Sequence, residues 1–166
     1  MELIGVNGSG KSTLLRTLSG LHDQYEGGFR CSERLYQGHK LGLDELMSPV
    51  ENLEWFSGLE GSSLSRDTIH RSLEQVGMLD YAYLPCHRMS QGQRRRVSMA
   101  RWITSRQATW LLDEPFTYLD SEGVEIANAV IEKRCKEGGV VMCATHIPIK
   151  YSQKRVIALE SLAKGS

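Results

Sequence analysis

"GVNGSGKS" occupies Gly5 to Ser12, close to the start of a chain of 166 residues. It reads glycine, four residues, then Gly-Lys-Ser, which is the phosphate-loop pattern G-x-x-x-x-G-K-[ST]. Successive backbone N–H groups in such a turn form a concave anion site, and the helix that follows adds its positive end. The pattern sets Gly5, Val6, Asn7, Gly8, Ser9, Gly10, Lys11, Ser12 and Thr13 around a nucleotide polyphosphate. Gly8 and Gly10 let the backbone wrap a phosphate where a Cβ would intrude. Lys11 reaches the β and γ phosphates, and the Ser12 hydroxyl ligates magnesium. A chance Gly/Lys turn of this form arises in on the order of one chain in a hundred at average residue frequencies. The flanks argue against chance: Leu3 to Val6 end a strand, and Ser12 to Ser19 read as a helix with Leu14, Leu15 and Leu18 on one side. Gly20 is its expected stop.

Working outward, 18.7 kDa fits one domain, read here as residues 1–166 with a helical subdomain at about 43–100. Twenty basic residues cancel twenty acidic ones, so no whole-chain field draws the protein to nucleic acid or to anionic lipid. No apolar run approaches the ~18 residues of a membrane-spanning helix. Work at a membrane therefore requires a partner, and direct membrane insertion is not expected. Cys31, Cys86, Cys135 and Cys143 show neither a C-x-x-C pair nor a histidine at ligand spacing, which predicts free thiols.

Along the chain, FRCSERLYQGH is compatible with one or two brief strands. From Val50 to about Met78 the pattern is helical, in two pieces separated by the Gly/Ser-rich GLEGSSLS. A further helix runs from Gln91 or Gln93 to Thr104, with Val97, Ala100 and Ile103 inward. Ser121 is the expected cap of a helix with Val124, Ala127, Val130 and Ile131 on its inner face, stopping at Gly138-Gly139. TWLL, VVMCA and RVIAL are buried-strand runs. Strand and helix in alternation predict an α/β fold with a mostly parallel sheet.

A phosphate loop needs an acidic partner, and TWLLDEP supplies it. The apolar strand delivers Asp113 to its carboxyl end, where it holds magnesium directly or through water. Glu114 is placed to orient and polarise the attacking water. Arg94, Arg95 and Arg96 lack aromatic interleaving, so a solvated helix face is preferred to a nucleic-acid patch.

Two further stretches make a resemblance specific. MSQGQ at Met89 to Gln93 is similar to the LSGGQ signature of ABC-type ATPases, with Met89 for leucine and Gln91 for the first glycine. LLDEP resembles the second acidic motif of that family, TYLD its D-loop, and His146 in ATHIP its switch histidine near the γ-phosphate. The order and spacing match over nearly the whole chain. The resemblance implies a P-loop ABC nucleotide-binding domain that hydrolyses ATP with Mg2+. It also implies a head-to-tail dimer with a second copy, in which Ser90, Gly92 and Gln93 of one chain cover the γ-phosphate held by Lys11 of the other.

The stretches LYQGHKLGLDELMSPVENLEWF, LPCHRMSQGQRRRVSMAR and WLLDEPFTYLD narrow it further. They are similar to the ATP-binding subunits of the cytochrome c maturation system, commonly described as haem exporters. That family implies integral membrane subunits and a small haem-handling companion as partners, docked on the segment from Val50 to Pro85. It implies a place on the cytoplasmic face of a bacterial inner membrane, or the matrix face of a mitochondrial one. ABC domains usually carry a glutamine twelve residues before the Glu of an "EN" pair, and counting back from Glu51-Asn52 gives His39. His39 is thus set near magnesium and the attacking water, against the plainer reading of a surface-loop histidine.

ABC domains also carry a small antiparallel β region before the phosphate loop, with an aromatic residue that stacks on adenine. That region is largely missing here. The expectation is an N-terminally truncated chain whose first strand is clipped and has lost its neighbours, with no residue assignable to the adenine. Other ABC exporters, or an ABC ATPase acting on nucleic acid or ribosomes, remain open alternatives. The lack of an inserted coiled coil or a second such domain argues against the latter.

Overall fold

The computed structural model describes residues 1–160. Five strands form one sheet in the order β2-β3-β4-β1-β5, with every pairing parallel. The strands are β1 (Glu2–Ile4), β2 (Arg34–Gln37), β3 (Thr109–Asp113), β4 (Val140–Ala144) and β5 (Val156–Ala158). The helices are α1 (Lys11–Ser19), α2 (Pro49–Leu59), α3 (Arg66–Gln75), α4 (Gln91–Thr104) and α5 (Ser121–Lys136). The chain divides into two compact units. Among the described residues, one comprises 1–39, 107–115 and 131–160, the other 40–106 and 116–130.

The first unit contains the sheet. All five β3 residues are buried, as the apolar run TWLL requires. Leu3, Leu111, Met142 and Ala144 from three strands close on Leu15 of α1 in one cluster. Leu14 and Leu18 lie against its margin. Gly20 ends α1 in the left-handed conformation, φ 81°, with its N–H and that of Leu21 taking up the last carbonyls. Residues 29–39 yield one strand, β2, and its partner is β3.

The first strand is not bereft of neighbours, contrary to expectation. β1 pairs with β4 on one side and β5 on the other, both supplied from far along the chain. Its N-terminal ammonium donates to Val141 C=O at 2.5 Å, and the Glu2 carboxylate, 4% exposed, meets Lys154 Nζ at 2.8 Å. A buried carboxylate needs such a partner to offset its desolvation.

The second unit holds the helical segment. Ser48 and Glu51 form a reciprocal capping box at the start of α2, with Pro49 in its first turn. Ser48 N–H donates to the Glu51 carboxylate at 2.7 Å, and the Ser48 backbone and hydroxyl bonds hold that carboxyl below its usual range. Gly58, read in the sequence as part of the separator, lies inside α2. The helix runs on because Phe56 and Ser57 are buried beneath that turn. The Arg101 guanidinium stacks 3.9 Å from the Phe56 ring centroid, and burial lowers its pKa. The arginines of α4 are not a solvated face: Arg95 is fully buried, and Arg94 pairs with Glu45.

Asn52 ties the loop before α2 to that helix. It is fully buried, accepts from Asp44 N–H at 2.8 Å and donates to Asp44 and Ser48 carbonyls at 3.0 and 3.1 Å. Asn52→Ala removes these side-chain bonds and unties the loop at Asp44 from α2, at a cost of about 1–3 kcal/mol. The expected result is a lower thermal midpoint by roughly 3–10 °C. An unchanged melting curve would show the network to be dispensable.

Candidate functional site

The parallel register brings three strand ends level. Asp113 is the partner of Ala144, and Ala144 is the partner of Leu3, so the carboxyl ends of β3, β4 and β1 lie side by side. Strands at ~4.8 Å spacing set the residue after β1 about 10 Å from the end of β3. The Gly5–Ser12 loop leaves the sheet there. Ligands in open α/β sheets bind outside such strand ends.

Gly5 has no room for a side chain: a Cβ would lie 2.5 Å from Leu159 C=O and 2.6 Å from Ser9 Oγ. Gly8 and Gly10 adopt φ of 83° and 94°, and a Cβ on either would meet nothing within 4 Å. The loop is therefore an open cradle whose curvature depends on left-handed backbone. Lys11 is the first residue of α1, one earlier than the sequence reading placed it. Its ammonium donates to Gly5 and Val6 carbonyls at 2.7 and 3.1 Å, which pins the side chain across the loop mouth. Gly10 provides no side-chain cap, and the first helical bond is Leu14 N–H to Gly10 C=O at 2.8 Å. The amides of the first turn, with the exposed Ser12 and Thr13 hydroxyls, are thus presented to an anion.

Asp113 ends β3 and is 6% exposed. Tyr36 stands near it. Burial first, then the Asp113 charge, raises the Tyr36 pKa, and Arg16 opposes the shift. Glu114 turns out of the strand in left-handed backbone, φ 49°, and its N–H donates to Ala144 C=O at 2.8 Å. A non-glycine residue held there costs of order 1–3 kcal/mol, a strain found where position matters more than stability. The Glu114 carboxylate meets His146 Nε2 at 3.4 Å. Thr145, its hydroxyl accepting from Ile147 N–H at 3.0 Å, fixes the turn that carries His146. Asp113, Glu114 and His146 are therefore gathered beside the phosphate loop. No group of three or more His, Cys, Asp or Glu residues able to hold a metal by themselves occurs among the described residues.

His39 is exposed just past β2. Gln37, which the spacing argument passed over, is 1% exposed and pairs in register with Leu112, one residue before Asp113.

In the second unit Ser90 caps α4. Its hydroxyl accepts from Gln93 N–H at 3.2 Å while its own N–H donates to Gln93 Oε1 at 2.9 Å. Ser90 and Gln93 are thus locked together by a capping box, and Gly92 next to them is tightly enclosed. A Cβ on Gly92 would lie 2.8 Å from the Tyr118 carbonyl. Tyr118 is itself left-handed, φ 68°. Asp120, rather than Ser121, closes the start of α5: its Oδ1 accepts from Gly123 N–H and from Arg96 Nη2, both at 2.8 Å. Arg96 also reaches Glu122 at 2.8 Å.

A phosphate cradle on β1, an acidic pair at the end of β3 and a helix-capping signature are the parts of a P-loop ATPase of cassette type. Residues 1–117 match the ABC transporter family. The chain is 34% identical to the cytochrome c biogenesis ATP-binding export protein CcmA of Saccharophagus degradans, over 95% of this chain and 79% of the relative. It is 38% identical to that of Pseudomonas fluorescens, over 88% and 75%. Among solved structures, an ABC transporter ATP-binding protein of Pyrococcus furiosus superposes with a TM-score of 0.85 at 23% identity, covering 95% of this chain and 82% of that one. A dimeric ATP-binding cassette in a post-hydrolysis state with ADP and phosphate gives 0.80 at 22% identity, over 98% and 82%. The chain belongs to the ABC transporter ATP-binding family, among the CcmA-type export proteins of cytochrome c biogenesis. It is an ATPase by that membership.

The Gly123 amide first, then Arg96, lowers the Asp120 pKa from its ordinary 3.8. A carboxyl whose pKa falls on folding stabilises the protein above its unfolded value, and the gain is lost as pH drops through the folded value. Asp120→Asn should therefore flatten the loss of stability on acidification below about pH 4. Urea midpoints measured across pH for both proteins test this, and parallel curves would refute it.

Proposed function

We propose that this chain drives a membrane transporter serving cytochrome c biogenesis, as the subunit that hydrolyses ATP with Mg2+ and is coupled to haem export or to release of a haem chaperone. The observation that carries the enzymatic part is the meeting of Glu114 and His146 at 3.4 Å beside Asp113, at the same strand ends that launch the phosphate loop.

The loop amides from Gly5 to Thr13 cradle the polyphosphate, and Lys11 exchanges its two carbonyl partners for β and γ phosphate oxygens. Ser12 and Asp113 fit a hard cation that takes the rest of its oxygens from phosphate and water, with His39 near the same place. Magnesium bound there supplies charge neutralisation at the transferred phosphoryl group. Glu114 orients the attacking water and polarises it. His146 holds that carboxylate from one side and faces the γ-phosphate from the other. Ser90, Gly92 and Gln93 complete the site of a second copy of the chain, arranged head to tail.

No helix among the described residues is long and apolar enough to cross a membrane. The chain binds the cytoplasmic face of an inner membrane peripherally, through integral membrane subunits. The helical unit supports this reading, since Leu46, Trp55, Leu59 and Tyr83 stand 80, 48, 66 and 62% exposed on it. Nothing in its charge or composition favours nucleic acid.

Glu114→Gln should lower turnover by about 100-fold or more while ATP binding persists, since only the water-activating group changes. ATP-bound dimers of this variant should accumulate in gel filtration. A variant that turns over like an active parent would remove Glu114 from the water-activating role. In cells deleted for the gene, haem staining should reveal no covalent c-type cytochrome although the apoprotein is made. Normal holocytochrome would leave the ATPase standing and reassign the cargo.

A further inference from the structure

Glu2 is a carboxylate in the interior of a parallel sheet. Alternation along β1 sends Leu3 into the apolar cluster with Leu15 of α1, so Glu2 faces the opposite side. There it meets the connection from β4 to β5, residues 145–155. Its Oε1 accepts from the Ile149 N–H at 3.2 Å, and its Oε2 meets Lys154 Nζ at 2.8 Å. The Lys154 ammonium also donates to Ile149 C=O at 2.6 Å, closing the circuit. Both backbone groups of Ile149 are therefore held, and its side chain is buried. An apolar residue of similar volume would cost the strand less than a desolvated carboxylate does. What the carboxylate adds is a fixed point for the connection.

From this arrangement we infer that Glu2 is a positioning residue for ATP hydrolysis, acting on His146 through Ile149. The inference rests on the role proposed for His146 and deepens it. His146 lies three residues before Ile149, and its exposed ring meets Glu114 at 3.4 Å. An exposed ring takes its position from its backbone, and the backbone between these two residues is short and stiff. The Thr145 hydroxyl accepts from Ile147 N–H at 3.0 Å and donates to Ile147 C=O at 3.1 Å. Pro148 then locks its own φ. Holding Ile149 therefore holds His146, because few free torsions lie between them. Glu2 also stands three residues before Gly5, on the strand that launches the phosphate loop. One strand thus sets two groups meant for the γ-phosphate: the loop by chain continuity, the histidine by a side-chain clasp. Misplacement by about 1 Å can cost ~100-fold in rate, so slack at Ile149 would reach turnover.

The test combines steady-state ATP hydrolysis by the full chain with NMR of protein labelled at its five histidines. The His146 signal is assigned by its loss in His146→Ala. Glu2→Ala should lower kcat about tenfold, leave KM for ATP within about twofold and shift the His146 signal. The signals of His70 and His87, in the helical unit, should stay in place. Lys154→Met, at a half-buried position, disturbs the sheet less and takes over if Glu2→Ala does not fold. It should give the same pattern with a loss of about threefold in kcat. In the His146→Ala background, Glu2→Ala should lower the residual rate no further. A His146 signal that stays in place in every folded variant overturns the inference, whatever kcat does. So does an equal fold-loss in the two backgrounds, which marks Glu2 as support for the fold alone. Movement of all five histidine signals overturns it on the same ground. A His146→Ala protein that turns over like an active parent overturns the role proposed for His146, and this inference with it.

Discussion

The site depends on the levelling of three parallel strands. Backbone hydrogen bonds fix β3 against β4 and β4 against β1, so that Asp113, Ala144 and Leu3 share one row. One residue of slippage would flip the side chains of the slipped strand to the opposite face of the sheet. That would move Asp113 off the row it shares with Ala144 and Leu3. The Glu114 amide, bonded to Ala144 C=O at 2.8 Å, extends the same ladder one step beyond the strand. The acidic pair is thus positioned by main chain, which has few alternative arrangements. Its side chains are spared the task of holding themselves in place.

The helical unit shows the same economy by other means. Gly92 lies under the Tyr118 carbonyl, and Arg96 bridges Asp120 and Glu122. The signature turn and the D-loop turn are thereby joined within one unit by a close backbone approach and by charge-assisted bonds, the stronger class of hydrogen bond. Cys86 and Cys143 contribute packing rather than chemistry, for burial pushes their thiols up to about 11 and about 12.

Features with a local cause were legible in the sequence. Glycine spacing announced the loop, the run TWLL announced β3, and apolar periodicity announced α4 with its start at Gln91 or Gln93 and its end at Thr104. What escaped reading was set by residues distant along the chain. The neighbours of β1 come from residues 140–144 and 156–158. The burial of Arg95 and the pairing of Arg96 with Asp120 follow from tertiary packing that a run of three arginines does not disclose. Asp120 outcompeted Ser121 as a cap because one carboxylate serves both an amide and a guanidinium.

Glu114 carries a tension of a different kind. Its left-handed backbone, φ 49°, suits glycine or asparagine far better than glutamate. Folding and the water-activating role proposed for Glu114 therefore pull this one position in opposite directions. A lineage released from the need to hydrolyse ATP would find the nearest gain in stability at this position. Libraries screened only for solubility or yield should drift the same way, enriching inactive chains that look improved. A glycine or asparagine at the equivalent place in a related sequence would then mark lost duty, written in the backbone before any other motif decays.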